Sequence, residues 1–184
     1  MNPTFDAKRR PRSSGQALVE VMLVILCVAL PMLVAILEMG LMIHEALIFE
    51  SYSSQIPMTV SRSCANLAGA QADACQDGIL NASAAAIANS VPWFAARGNM
   101  AASIFQWNAN TGAVQQVSSR AVGGGGLGSR FTAATMNAAL VQAHGTVYVG
   151  EVTSARLRVF PVLPIDWLVG LVGFPRSLYE CTLI

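Results

Sequence analysis

The sequence predicts an α+β protein in which a long N-terminal transmembrane helix precedes a small mixed extracytoplasmic domain built on an antiparallel sheet. Three observations lead there. Hydrophobic residues make up 54% of the chain and charged residues 11%, against about 25% charge in an ordinary soluble domain, so some surface must face lipid or a partner. Residues 21–37 carry no charge over seventeen positions, and 39–43 continue apolar past Glu38. That run is long enough to span, since about 20 apolar residues cross the roughly 30 Å hydrocarbon core. Beyond Pro57 the pattern breaks into short helical and alternating runs divided by Gly, Asn and Pro, which is the punctuation of a small mixed domain.

Charge orients the first element. Lys8, Arg9, Arg10 and Arg12 stand directly upstream of the apolar run, with Asp6 the only acid among the first fifteen residues. A positive flank stays in the cytoplasm, so residues 1–15 read as a basic cytoplasmic leader and the domain after Ile43 is exported. The rest of the chain holds seven arginines against nine acids, a net of −2. Nucleic-acid binding needs clustered cations, and none remain, so nucleic acid is set aside. Three known kinds of export signal fit this start less well. A cleaved secretory signal has a shorter apolar stretch and a small-residue exit, a twin-arginine signal is suggested by Arg9-Arg10 alone, and a lipoprotein signal needs small residues where Val24-Ile25-Leu26 precede Cys27.

Glu20 opens the apolar run, the fifth residue after Gly15. A carboxylate within a spanning segment is costly and normally has a purpose or a partner. Glu38 follows eighteen residues later, which at 3.6 residues per turn is five whole turns and about 27 Å. A regular helix therefore puts both carboxylates on one face, one near each edge of the hydrocarbon. Pro31 lies between them; it could loosen the helix, though membrane helices tolerate proline readily. Past Ile43, Leu47, Ile48, Tyr52 and Ile56 keep helical spacing, and Pro57 supplies a stop, so one helix is expected over 16–56 and the exported domain over 57–184.

Within that domain residues 78–90 favour a helix ended by Pro92, 103–107 and 113–118 two strands around the turn 108–112, and 123–128 a glycine-rich loop. A second helix is expected over 130–143, and a pair of strands over 146–152 and 156–160. The apolar stretch 162–174 is too short to span; core burial, or packing against the long helix, a partner or the bilayer surface with Trp167 as anchor, would each satisfy it. Cys64 and Cys75 bracket a short polar segment, and in an oxidising compartment their bridge would contribute about 3 kcal/mol by loop-closure entropy. Cys181 competes, because three cysteines allow three pairings. Cys27 sits in the apolar run.

The stretch Gly15-Gln-Ala-Leu-Val-Glu20 after a basic leader resembles a type IV prepilin processing site, where a membrane peptidase cuts on the cytoplasmic side. Continued by a Leu/Val run and Ile36-Leu-Glu-Met-Gly40, it is similar to TadE-like minor pilins (pseudopilins) of tight-adherence, or Flp, pilus systems. Val149-Gly-Glu-Val152, Pro161 to Pro164 and Leu178-Tyr-Glu180 look like that family's closing strand and tail, whereas the middle of the chain has no counterpart. The resemblance implies a pilin-like fold in the bacterial inner membrane, crossing once with its C-terminal domain periplasmic, and entry into an extracellular pilus. It also implies cleavage between Gly15 and Gln16, assembly through Glu20, no cofactor, and four kinds of partner: a prepilin peptidase, other pilin and minor pilin subunits, the membrane platform of the pilus machine, and the lipid bilayer. Independently of family, glycine at 15 leaves the scissile peptide open to a protease. Cutting there frees an amine at Gln16 that a neighbour's Glu20 can neutralise in lipid.

An enzyme is not expected, nor a metal site. Gly123, Gly125 and Gly128 fit G-x-G-x-x-G, with Glu151 twenty-three residues beyond. A dinucleotide fold needs a second mononucleotide half that the remaining chain cannot supply, and a cofactor that is scarce outside the cytoplasm. His44 and His144 have no carboxylate or cysteine constellation around them.

Overall fold

A computed structural model of the protein describes residues 14–67, 69–126, 128–155 and 177–184. Lys8, Arg9, Arg10 and Arg12, the expected strand at 156–160, and the stretch 162–174 with Trp167 lie outside the described residues. The chain opens with helix α1 (Ser14–Val24), one π-helical turn (Ile25–Ala29) and helix α2 (Leu30–Ser63), which follow without interruption. Next come α3 (Ala70–Ser90), a single turn α4 (Phe94–Arg97), strands β1 (Gly98–Asn108) and β2 (Ala113–Val122), helix α5 (Ala138–His144), and strands β3 (Thr146–Ala155) and β4 (Ser177–Leu183). All neighbouring strands are antiparallel, in the order β2-β1-β3-β4. The layout is α+β.

The π turn has a local cause. Pro31 cannot donate to the Cys27 carbonyl four residues back, and the helix resolves this with a wider turn in which the Leu30 N–H reaches the Ile25 carbonyl. One widened turn offsets every later residue by roughly 100° about the axis. Glu38 is therefore displaced from the face of Glu20, and the expected common face is corrected.

The second proline does not stop the helix, which runs through Pro57 to Ser63; the boundary expected at 56 and 57 moves accordingly. Pro57 leaves the Ser53 carbonyl without its helical donor, and that strip of backbone lies directly on β3. A Cβ placed on Gly150 would stand 2.5 Å from Pro57 Cδ and 2.6 Å from the Ser53 oxygen. Glycine at 150 is thus what allows helix and sheet backbones to touch. Nearby, Ser53 Oγ donates to the Glu50 carbonyl at 2.9 Å and lies 3.2 Å from Thr182 Oγ1 on β4.

The outer half of α2 and helix α3 cover one face of the sheet. Phe49, Ile56, Val60, Leu80, Ile87, Phe94, Met100 and Val152 form its core, and each such side chain contributes about 1.5–3 kcal/mol when fully withdrawn from water. Phe49 meets Phe94 edge to face at 5.5 Å between ring centroids. Leu47 is 59% exposed, and the inward stripe is Phe49, Ser53, Ile56, Val60. Cys64 closes α2 and is bridged to Cys75 in α3, which fixes the corner between the two helices; Cys27 and Cys181 are free thiols. The α3 contact with β2 is polar: Ser118 Oγ donates to Asp73 Oδ1 at 2.7 Å, and the Arg120 guanidinium forks onto Asp77. That pairing holds the Asp77 carboxyl below its usual range, the hydrogen bond from Arg120 being the main cause.

On the other face a smaller core of Phe105, Met136, Val141, Val147 and Val149 lies under α5. The helix expected over 130–143 is confined to Ala138–His144, because side chains upstream bind backbone locally. Thr132 and Thr135 exchange hydroxyl and amide bonds, and Asn137 Oδ1 caps α5 by accepting from the Ala139 N–H at 3.0 Å. The β1–β2 hairpin turns at the expected residues. Asn108 Oδ1 accepts from the Asn110 N–H at 3.0 Å, and Gly112 takes φ +64°.

Candidate functional site: a bare apolar helix and its polar ends

From Leu18 to Ile43 the helix carries large apolar side chains on every side, with Val21, Met22, Leu23 and Val24 in succession each 57–59% exposed. Four consecutive residues sample the whole circumference of a helix, and a helix apolar all round belongs in lipid or in a large core. Here almost none of it is covered by the described chain. Its most apolar eighteen residues have a mean hydropathy of 2.8, so this segment is long and apolar enough to cross a bilayer.

Gly15, Gln16 and Glu20 occupy the first two turns of α1, all exposed. Nothing approaches within 4 Å of where a Cβ on Gly15 would lie, and its φ is not positive. The fold therefore has no use for glycine at this position, and in a helix glycine costs about 1 kcal/mol relative to alanine. Gln16 Nε2 donates to Glu20 Oε1 at 3.4 Å, so the side chain that follows the Gly15 carbonyl lies beside the carboxylate one turn on.

A polar centre is built into the sheet. Along β3, Val147 and Val149 face the smaller core, and period-two alternation places Glu151 on their side of the sheet. Glu151 is 2% exposed. Its carboxylate accepts from Ser129 Oγ, from the Arg130 backbone N–H at 3.0 Å and from the Tyr179 hydroxyl at 2.8 Å. The Arg130 guanidinium lies over the Tyr179 ring, 4.1 Å from its centroid. Cys181 pairs with Glu151 across β3 and β4. This constellation was missed at the level of sequence, where Glu151 stood only as the distant acid of a glycine pattern. The signal that could have found it is an acid at an inward position of an otherwise apolar alternation.

Burial first, and then the bond to Glu151, push the Tyr179 hydroxyl well above the ordinary phenol range, and burial raises the Cys181 thiol. A group that keeps its proton in the fold and loses it on unfolding stabilises the fold less as pH rises. Stability is therefore expected to fall from about pH 9 upward as unfolded thiol and then phenol ionise. Melting temperatures read between pH 8 and 11 should show Cys181→Ser removing the first part of that fall and Tyr179→Phe the part above about pH 10; parallel curves for all three proteins would refute the assignment.

The glycine tract does not form a phosphate cradle. Gly123 to Gly125 lie on the backbone of α4 and the start of β1, with a Cβ on Gly123 falling 2.3 Å from the Gly98 oxygen and one on Gly124 2.6 Å from the Ala96 oxygen. Carbonyl oxygens line the approach, and among the described residues no helix follows until Ala138. Among the described residues no group of three His, Cys, Asp or Glu side chains could hold a metal ion.

No protein-family model, curated protein or solved structure matches this chain.

Proposed function

We propose that the chain is a TadE-like minor pilin of a tight-adherence pilus, a non-catalytic subunit that a prepilin peptidase cuts after Gly15. The observation that carries this reading is the pairing of a glycine the fold does not need with a carboxylate five residues on, both at the head of a bare apolar helix. Before cleavage the basic leader holds the N-terminus in the cytoplasm, and the helix anchors the sheet domain on the periplasmic side of the inner membrane. Afterwards the chain starts at Gln16 with a free amine. In a bundle of such helices, Glu20 of one subunit balances the amine of its neighbour, so two groups that are costly in lipid are neutralised together. The bridge between Cys64 and Cys75 suits an oxidising compartment. Partners on this reading are other pilin subunits and the membrane platform that assembles them.

Mass spectrometry of the protein recovered from cells tests the reading. The mature chain is expected to begin at Gln16, and an intact leader would leave an unprocessed, membrane-anchored scaffold or accessory protein of a secretion or envelope system. The Glu20→Ala variant should insert and be cut as the parent is, yet give no pili by electron microscopy; normal piliation would remove Glu20 from assembly.

A further inference from the structure

Residues 15–30 of the apolar helix are exposed on every side, but from Pro31 onward one side is covered. Pro31, Val34, Ala35, Glu38, Met42 and Glu45 are buried or half-buried, and at 3.6 residues per turn they fall within an arc of about 100°. Leu33, Ile36 and Leu37, on the opposite side, are 49–66% exposed. Met42 packs against the larger core of the sheet domain. Val34 is 6% exposed yet belongs to neither core, and it lies eight residues, about 12 Å, from Met42 toward the N-terminus. The sheet does not extend that far. Ser53, beside Thr182 and Gly150, is nineteen residues or about 28 Å from Val34, whereas β4 from Thr182 to Ser177 and β3 from Gly150 to Ala155 each advance about 17 Å. Phe94 of α4 meets the helix at Phe49, about 22 Å away. The burial arises within one chain, so what covers Val34 is a part of this chain outside the described residues.

Two tracts are long enough, residues 1–13 and 156–176; Ala68 and Leu127 are single residues held between described neighbours. A leader folded back from Ser14 to Val34 would have to lie along residues 15–30, and these are exposed throughout. That leaves 156–176, which departs from β3 at Ala155 and returns to β4 at Ser177, two residues paired across the sheet. Its ends face the right way. Gly150 lies against Ser53 and Pro57, whereas Gly98, the partner of Ser154, lies against the Phe94 ring, which meets Phe49; advancing along β3 therefore goes back along α2. The other side of the sheet repeats the direction. Helix α3 returns along α2 from the Cys64–Cys75 bridge to the Phe94 contact, Ser118 and Arg120 of β2 follow Asp73 and Asp77 of α3, and β2 is parallel to β3 because both are antiparallel to β1. Ala155 and Ser177 thus end the sheet on the side of Val34, and Leu178, next to Ser177, shares a core with Met42. A tract of this length going out and back reaches about 15 Å as helix and about 30 Å extended, which covers the step from Met42 to Val34 either way.

Composition completes the match. Residues 162–174 are apolar apart from Asp166, and Arg156, Arg158 and Arg176 flank them. The arc on the helix is complementary: apolar at Pro31, Val34 and Ala35, acidic at Glu38 and Glu45, neither of which is without a partner. We infer that residues 162–174 dock along the Pro31, Val34 and Ala35 side of the apolar helix and that the flanking arginines balance Glu38 and Glu45. A carboxylate on an apolar helix is costly alone and is offset by a cation brought to it. The contact ties the sheet domain to the apolar segment a second time, beyond the junction at Phe49, and gives the helix two unlike sides, one held by its own chain and one, at Leu33, Ile36 and Leu37, left to lipid. It does not depend on cleavage after Gly15.

Disulfide crosslinking of the full chain in membranes tests this, in a Cys27→Ser, Cys181→Ser background that keeps the Cys64–Cys75 bridge. Val34→Cys is combined in turn with Leu168→Cys, Val169→Cys, Leu171→Cys and Val172→Cys and oxidised with copper phenanthroline. A disulfide needs Cβ atoms about 4 Å apart, so at least one combination should close within a single chain, seen as a linked peptide by mass spectrometry, while Ile36→Cys in place of Val34→Cys closes none. No closure from residue 34, or equal closure from residue 36, overturns the inference. So does a link from residue 34 to Ala7→Cys in the leader, or one that forms only between two chains and runs as a dimer on a non-reducing gel. A second measurement is free of crosslinking geometry. Oxygen access to a nitroxide in the bilayer should be well below that of residue 36 when the label is at residue 34, and should rise to match it once residues 162–174 are replaced by a Gly/Ser linker of equal length. Equal access at the two positions in the parent, or low access at residue 34 that survives the replacement, overturns the assignment.

Discussion

Gly150→Val is expected to destabilise the sheet domain by about 3 kcal/mol or more, with Gly150→Ala intermediate. The Cβ of either variant must occupy space already filled by Pro57 Cδ and the Ser53 carbonyl. Neither is the free end of a flexible side chain, so relief requires α2 to lift from β3. Lifting it uncovers Phe49, Ile56 and Val60, each 1% exposed or less, and loosens the approach of Ser53 to Thr182. Urea unfolding of the full chain in detergent, followed by near-ultraviolet circular dichroism, should place the midpoint of Gly150→Val well below the parent. Gly78→Ala gives the opposite sign. Gly78 is in the interior of α3 with nothing within 4 Å of its added Cβ, so alanine there should stabilise by up to about 1 kcal/mol. A Gly150→Val midpoint equal to that of the parent would mean that the helix does not rest on the strand.

That contact also explains why one boundary could not be read from the sequence. Proline inside a helix is ordinarily a stop, yet Pro57 lies within α2 and packs against Gly150, ninety-three residues further on. Local rules hold only local information. Where the determining residues are neighbours, sequence and structure agree: the apolar run is recognised by its length, and the β1–β2 hairpin by Asn108 and Gly112, which make the turn themselves. Pro31 lies between these cases, since a disturbance is predictable from one residue, but its form as a π turn, and so the angular offset between Glu20 and Glu38, is set by the conformation. The helix expected over 130–143 is cut short by local bonds of Thr132, Thr135 and Asn137 to nearby backbone, while Ser129 and the Arg130 N–H just upstream are engaged by Glu151, a contact remote in sequence. Within the candidate site the same division holds. Gly15, Gln16 and Glu20 form a linear pattern and are legible as one, whereas Ser129 and Arg130, Glu151, and Tyr179 come from three separate segments that only the fold brings together.

Glu151→Ala should be nearly as damaging as the change at Gly150, for a different reason. The carboxylate is the common acceptor of three donors from two segments: Ser129 and Arg130 before α5, and Tyr179 on β4. Hydrogen bonds to a charged group are worth about 1.5–3 kcal/mol each, and truncation leaves the Arg130 N–H and the Tyr179 hydroxyl facing an empty space. A loss of about 3–4 kcal/mol in urea unfolding is expected. Glu151→Gln separates acceptor geometry from charge. Its Oε1 can still take the Arg130 and Tyr179 donors, and its amide can donate to Ser129 Oγ if that hydroxyl rotates, since Ser129 Oγ already accepts from the Phe131 N–H at 3.1 Å. About two thirds of the lost stability should therefore return in the glutamine variant. A double-mutant cycle completes the argument: Tyr179→Phe should cost about 1–2 kcal/mol in the parent and much less beside Glu151→Ala, because the bond it removes is already gone. Strict additivity of the two losses would show that Glu151 does not organise this corner of the sheet. The Arg130 guanidinium would then have to owe its position over the Tyr179 ring to stacking alone.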